Sequence, residues 1–139
     1  EPPAPLLRVG AADGWRLVPG LGRGGGVLSA RQPGATLELL AEAAPTGPSC
    51  LRVHVLPTYP QAAGEPWQAE VRVDGQAHAL RWPRGLQDAA WGQGVLANRL
   101  AASLTLPERA AGPLRLRLTA GQRDLMFDGA DLQPGACRP

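Results

Sequence analysis

Apolar positions in this chain recur with period two, in short runs broken by glycine and proline. Leu51, Val53 and Val55 alternate with Arg52 and His54, the pattern of a strand with one buried face. Val71 and Val73 alternate with Glu70 and Arg72, and Asp74-Gly75 follows. Asp-Gly between two such runs predicts a β-hairpin, because a type I′ turn needs positive φ at both central residues. A two-residue loop pairs Val73 with Gln76, Val71 with His78, Ala69 with Leu80 and Trp67 with Trp82. A four-residue loop shifts the partners by two and keeps the faces. In either case Val71, Val73, His78, Leu80 and Trp82 share one face, and Glu70, Arg72 and Arg81 share the other.

The same reading places strands over 15–18, 27–30, 35–42, 51–57, the later part of 95–106, 114–118 and 125–132, the last kinked at Gly129. Leu114, Leu116 and Leu118 alternate with Arg115 and Arg117, and burying that triplet is worth roughly 5–8 kcal/mol before entropy is subtracted. Two long connections, 57–66 and 83–93, separate the middle strands, and a helical turn fits around Val95 to Asn98. Eight or nine short, regularly punctuated strands predict an all-β fold, an antiparallel β-sandwich or jelly roll. Residues 1–12 read as a linker or loosely docked arm, 13–133 as the sandwich and 134–139 as a tail.

Composition supports this class. Of 139 residues, 18 are Gly and 15 are Pro, interleaved with apolar runs, which fits a turn-rich β protein and leaves little room for long helices. All 14 basic residues are Arg, spread evenly, and the net charge is +2. No basic stripe marks a nucleic-acid binder, and no apolar run approaches the roughly 20 residues needed to cross a bilayer. The chain opens on Glu-Pro-Pro, as expected of a chain trimmed after a signal peptide or cut from a longer polypeptide.

Cys50 and Cys137 are too far apart for a CxxC motif. They form either a bridge tying the tail to a strand, in a secreted or periplasmic domain, or two separate thiols. A bridge would contribute up to about 4–5 kcal/mol through loop entropy.

Catalytic signatures are weak. The stretch Pro19 to Gly26 is glycine-rich but lacks the spacing and following helix of a phosphate loop. His54 and His78 have no ligand spacing around them, and Ser29, Ser49 and Ser103 sit in no nucleophile elbow. Glu65, Asp88 and Glu108 read as solvated loop charges. Hydrolysis by an esterase-like triad ranks last among the functional readings.

Aromatic residues are the better lead. Tyr59, Trp67, Trp82 and Trp91 lie in or beside the two long connections. Sugars are recognised by a flat apolar ring together with planar polar groups, and Arg81, Arg84, Asp88 and Asn98 lie near enough in sequence to supply the latter. An arginine there would also take a uronic-acid carboxylate in two-pronged fashion. Trp15, Trp82 and Trp91 are favoured as core plugs, whereas Tyr59 and Trp67 flank a proline-rich loop that displays side chains.

The order of these features resembles the C-terminal β-sandwich domain of glycoside hydrolase family 115, the xylan α-glucuronidases. The resemblance rests on Trp15 followed by Gly20-Leu21-Gly22-Arg23-Gly24, on Val55-Leu56-Pro57-Thr58, and on the strand from Ala69 into Asp74-Gly75. It continues through Trp91 with Asn98, Gly112-Pro113-Leu114 and Phe127-Asp128, covering about residues 15–132. Where the family has a His-Thr-Leu entry to the late strand, this chain has Gly-Pro-Leu. The resemblance implies a galactose-binding-like sandwich that accompanies a catalytic domain of the same polypeptide or packs on a second copy. It includes none of that enzyme's active site. Polysaccharide is the implied ligand, and nucleic acid and membrane are not. No cofactor is implied beyond a structural Ca²⁺, which would need six to eight oxygen ligands.

Overall fold

The computed structural model describes residues 7–22, 24–58, 65–83 and 99–138. Among the described residues there are ten strands: β1 (Arg8–Asp13), β2 (Trp15–Pro19), β3 (Gly26–Ala30), β4 (Thr36–Ala41), β5 (Ser49–Val55), β6 (Gln68–Val73), β7 (Gln76–Arg81), β8 (Leu100–Leu106), β9 (Leu114–Ala120) and β10 (Met126–Pro134). They form two five-stranded sheets, β1-β4-β9-β6-β7 and β2-β3-β10-β5-β8. Every described pairing is antiparallel. The chain is an antiparallel β-sandwich.

Period-two patterning decides which side chains meet between the sheets. Leu37 and Leu39 of β4, Leu114, Leu116 and Leu118 of β9, and Val71 and Val73 of β6 face Leu51, Val53 and Val55 of β5 and Leu132 of β10. The β6–β7 hairpin closes with the two-residue turn, pairing Val73 with Gln76, Val71 with His78 and Ala69 with Leu80. Asp74 (φ 49°) and Gly75 (φ 79°) both adopt the left-handed conformation that a type I′ turn requires.

The count exceeds the expected eight or nine strands because residues 8–12, expected as an arm, belong to β1. This edge strand pairs with β4, Arg8 opposite Leu40 and Asp13 opposite Thr36, with a bulge between Val9 and Ala11. Its sequence, RVGAAD, has no apolar alternation. Backbone hydrogen bonding holds it, and that leaves little trace in side-chain pattern.

The C-terminal end is also docked. β10 runs to Pro134, Gly135 N–H bonds the carbonyl of Pro48, and Cys137 N–H bonds Thr105 Oγ1. Cys137 forms a disulfide with Cys50, across a sequence separation of 87.

Candidate functional site

Both long connections leave from one end of the sandwich. β5 ends beside the start of β8, Val55 opposite Leu100, and β6 begins beside the end of β7, Gln68 opposite Arg81. β5 and β8 belong to one sheet and β6 and β7 to the other, so the chain changes sheets between β5 and β6 and again between β7 and β8.

The two tryptophans that flank these connections are structural. Trp82 is 2 % exposed and its indole N–H donates to the Val53 carbonyl at 3.0 Å. Trp67 is equally buried and donates to the Thr58 carbonyl at 2.8 Å. The backbone N–H of Trp82 bonds the carbonyl of Trp67, extending the hairpin ladder. Trp67, a candidate sugar platform by its place beside the proline-rich loop, is instead a core side chain. It keeps the parity of Ala69, Val71 and Val73, so the pleat turns it inward. A ring so enclosed offers no face to a sugar.

Arg81 is exposed on the opposite, outward side of the hairpin, so Trp67 and Arg81 are not brought together. Tyr59, Arg84, Asp88, Trp91 and Asn98 lie outside the described residues. Trp15 is half-buried against the core, with its indole N–H bonded to the Thr36 carbonyl.

The outward face of the second sheet carries a polar cluster that the sequence reading passed over. Arg52 and His54 of β5 lie beside Asp131 and Asp128 of β10. Arg52 Nε donates to Asp131 Oδ1 at 3.0 Å, and His54 Nε2 lies 2.9 Å from Asp131 Oδ2. Because an ionised carboxylate only accepts, Nε2 carries the hydrogen. Arg99 Nη2 donates to the Asp128 backbone carbonyl at 2.8 Å, and its Nε lies 3.7 Å from Asp128 Oδ2. His54, Asp128 and Asp131 are each 7 % exposed. β10 bulges between Phe127 and Ala130, where Gly129 has φ 108°, and this sets Asp128 beside the histidine's row. Burial pushes the His54 imidazole below its ordinary value of 6.5. The hydrogen bond and charge of Asp131 oppose that shift, and the charges of Arg99 and Arg52 add to it. His54 is therefore neutral at pH 7.

The alternation at 51–55 did signal that Arg52 and His54 face away from the core. It held no sign that this outward face would itself be covered. Among the described residues, no cluster of three or more His, Cys, Asp or Glu side chains could hold a metal ion.

Solved structures similar to this chain share its architecture. A family 115 4-O-methyl-α-glucuronidase with specificity for decorated arabinogalactans matches 95 % of this chain at a TM-score of 0.78 and 19 % identity. What these structures share with the chain is the antiparallel β-sandwich fold. Family 35 carbohydrate-binding modules match as well. One from Cellvibrio japonicus aligns at 0.57 with 17 % identity, over 99 % of this chain and 92 % of its own. Another, in complex with a glucuronic-acid-containing disaccharide, gives 0.57 and 17 % over 99 % and 93 %. This chain spans 18 % of the length of the glucuronidase, about a fifth of that enzyme. No protein-family model and no curated protein matches the sequence.

Proposed function

We propose that this chain is a non-catalytic β-sandwich module of a carbohydrate-active enzyme, seated on the catalytic part of the same polypeptide. The observation that carries this reading is the match of nearly the whole chain to about a fifth of a glucuronidase, at a higher TM-score than the family 35 binding modules give.

Two physical features support it. The buried carboxylates of the outward face are both held by cations, Asp131 by Arg52 and Asp128 by Arg99. Glycoside cleavage needs two carboxyl groups flanking a substrate cleft, whereas these two lie along one strand, β10, each beside an arginine. Exposed apolar side chains gather on the edge made by β1, β2 and the loop after β2: Val9, Leu17 and Leu21, at 39 %, 64 % and 40 % exposure. Leu17 sits opposite Leu28 and so points between the sheets, and among the described residues no strand lies beyond β2 to cover it. A catalytic domain resting there would cover it. The Cys50–Cys137 disulfide fits an oxidising, extracytoplasmic compartment.

The test is the size of the native product, read with an antibody raised against this module. A polypeptide several times longer is expected, and a native product no longer than this chain overturns the reading.

A second reading, recognition of uronic-acid-bearing glycan by the module itself, is favoured by the likeness to a family 35 module that holds such a disaccharide. Retention of the chain on a glucuronoxylan gel, released by free glucuronic acid, would support it. Migration unaltered by the polysaccharide would count against it.

A further inference from the structure

At the end of the sandwich opposite the long connections, the facing edge strands β7 and β8 part to leave a cleft of about 120 Å³. Asp74, Gln76 and His78 line it from the hairpin, and Leu106, Pro107 and Arg109 line it from β8 and the loop that follows. Arg109 is the unusual member. Its side chain is only 15 % exposed. Its Nε and Nη1 are buried and meet no hydrogen-bond acceptor among the described residues. Its Nη2 lies 3.8 Å from Asp74 Oδ1, too far for a hydrogen bond, and the Asp74 side chain is 66 % exposed. The loop itself is pinned, because the backbone N–H of Arg109 bonds the Thr46 carbonyl at 2.9 Å.

A guanidinium taken out of water with its donors unfilled is costly. Such donors are completed by a water, an ion or a ligand group, and a planar fork of N–H donors matches a carboxylate. The remaining lining suits a sugar ring. Leu106 and Pro107 offer an apolar floor for C–H groups, and the Gln76 amide and the His78 ring offer hydrogen bonds to hydroxyls.

We propose that this cleft is a binding site for the carboxylate of a uronic-acid sugar, with Arg109 as its anion donor. The choice of a sugar carboxylate rests on the functional reading above, whereas the anion site itself does not. Asp74 acts as a loosely held competitor that the ligand displaces.

The experiment is an amide-resolved NMR titration of the intact chain with glucuronic acid, glucose and acetate in turn. Glucuronic acid is expected to shift the Gln76 and His78 amides saturably, acetate to shift them more weakly at the same concentration, and glucose to leave them in place. Asp74→Asn keeps a favourable Asn-Gly turn while removing the competing charge, so it is expected to tighten glucuronate binding by about twofold to fivefold, the worth of an exposed ion pair. Arg109→Gln is expected to abolish binding. Unmoved amides with glucuronic acid, an equal response to glucose or acetate, or weaker binding in Asp74→Asn would each overturn the proposal. The Asp74 variant keeps the test decisive even if the Arg109 variant does not fold. Retention on polysaccharide with silent Gln76 and His78 amides sinks this cleft alone. Responsive amides alongside a native product of this chain's own length sink the module reading and leave the anion site standing.

Discussion

The indole N–H of Trp82, at the end of the hairpin in one sheet, donates a 3.0 Å hydrogen bond to the carbonyl of Val53 in the other. This bond joins the two layers at the end from which both long connections leave. Trp82→Phe keeps most of the ring and loses the bond, so it should lower the unfolding free energy by about 1–3 kcal/mol. Urea denaturation measures this, and a midpoint equal to wild type would show that the bond contributes nothing.

The disulfide closes a segment with a sequence separation of 87, most of the sandwich. Reduction should cost about 2–5 kcal/mol, mainly by freeing the unfolded chain. The comparison is the denaturation midpoint with and without reductant, or of Cys137→Ala against wild type. An unchanged midpoint under full reduction would contradict it.

Much of this architecture was legible in the residues. The Asp74-Gly75 turn marked the hairpin and its faces while leaving two registers open, and the alternation in Leu51–Val55 and Leu114–Leu118 assigned the inward faces, as found. Parity could also have placed Trp67 inward, since it extends the row of Ala69 and Val71. The adjoining proline-rich loop gives a competing signal for display, and the pleat prevails. β1 was hidden because an edge strand of small residues is held by backbone bonds. The Arg52–Asp131–His54 group was hidden because its members lie 77 and 79 residues apart and their covering is tertiary. Arg109, in the stretch Pro107-Glu108-Arg109-Ala110, looks like any solvated loop charge until the fold sets it beside Asp74.

Stability should fall on mild acidification through His54. Its folded pKa lies below 6.5, whereas in the unfolded chain it titrates near that value. Below 6.5 the unfolded chain therefore binds more protons than the folded one. The contribution is fully present above that pH, and it is lost progressively as pH falls toward the folded pKa. His54→Gln should flatten the change in unfolding free energy between about pH 7 and pH 5 relative to wild type. Equal slopes in the two proteins would remove His54 as the cause.

Gly22 is a close-approach position. A Cβ there would run into the Asp128 carboxylate and come 2.7 Å from Val27 Cγ1, and its φ of 75° is one that other residues rarely adopt. Gly20, with φ 80°, has open space around its side-chain position. Both alanine substitutions carry the backbone penalty of about 1 kcal/mol, but Gly22→Ala should cost at least about 1–2 kcal/mol more, from displacing Asp128 beside Arg99. Equal losses in the two variants would show that the loop yields freely.

The proposed role of this sandwich is to accompany glycan chemistry without performing it. Proton NMR of a glucuronic-acid-bearing xylo-oligosaccharide, followed over time with the purified chain, tests that most directly. The anomeric signals should persist unchanged, with no free uronic acid. Enzyme-dependent release of uronic acid, lost when Asp128 or Asp131 is changed to Asn, would contradict it.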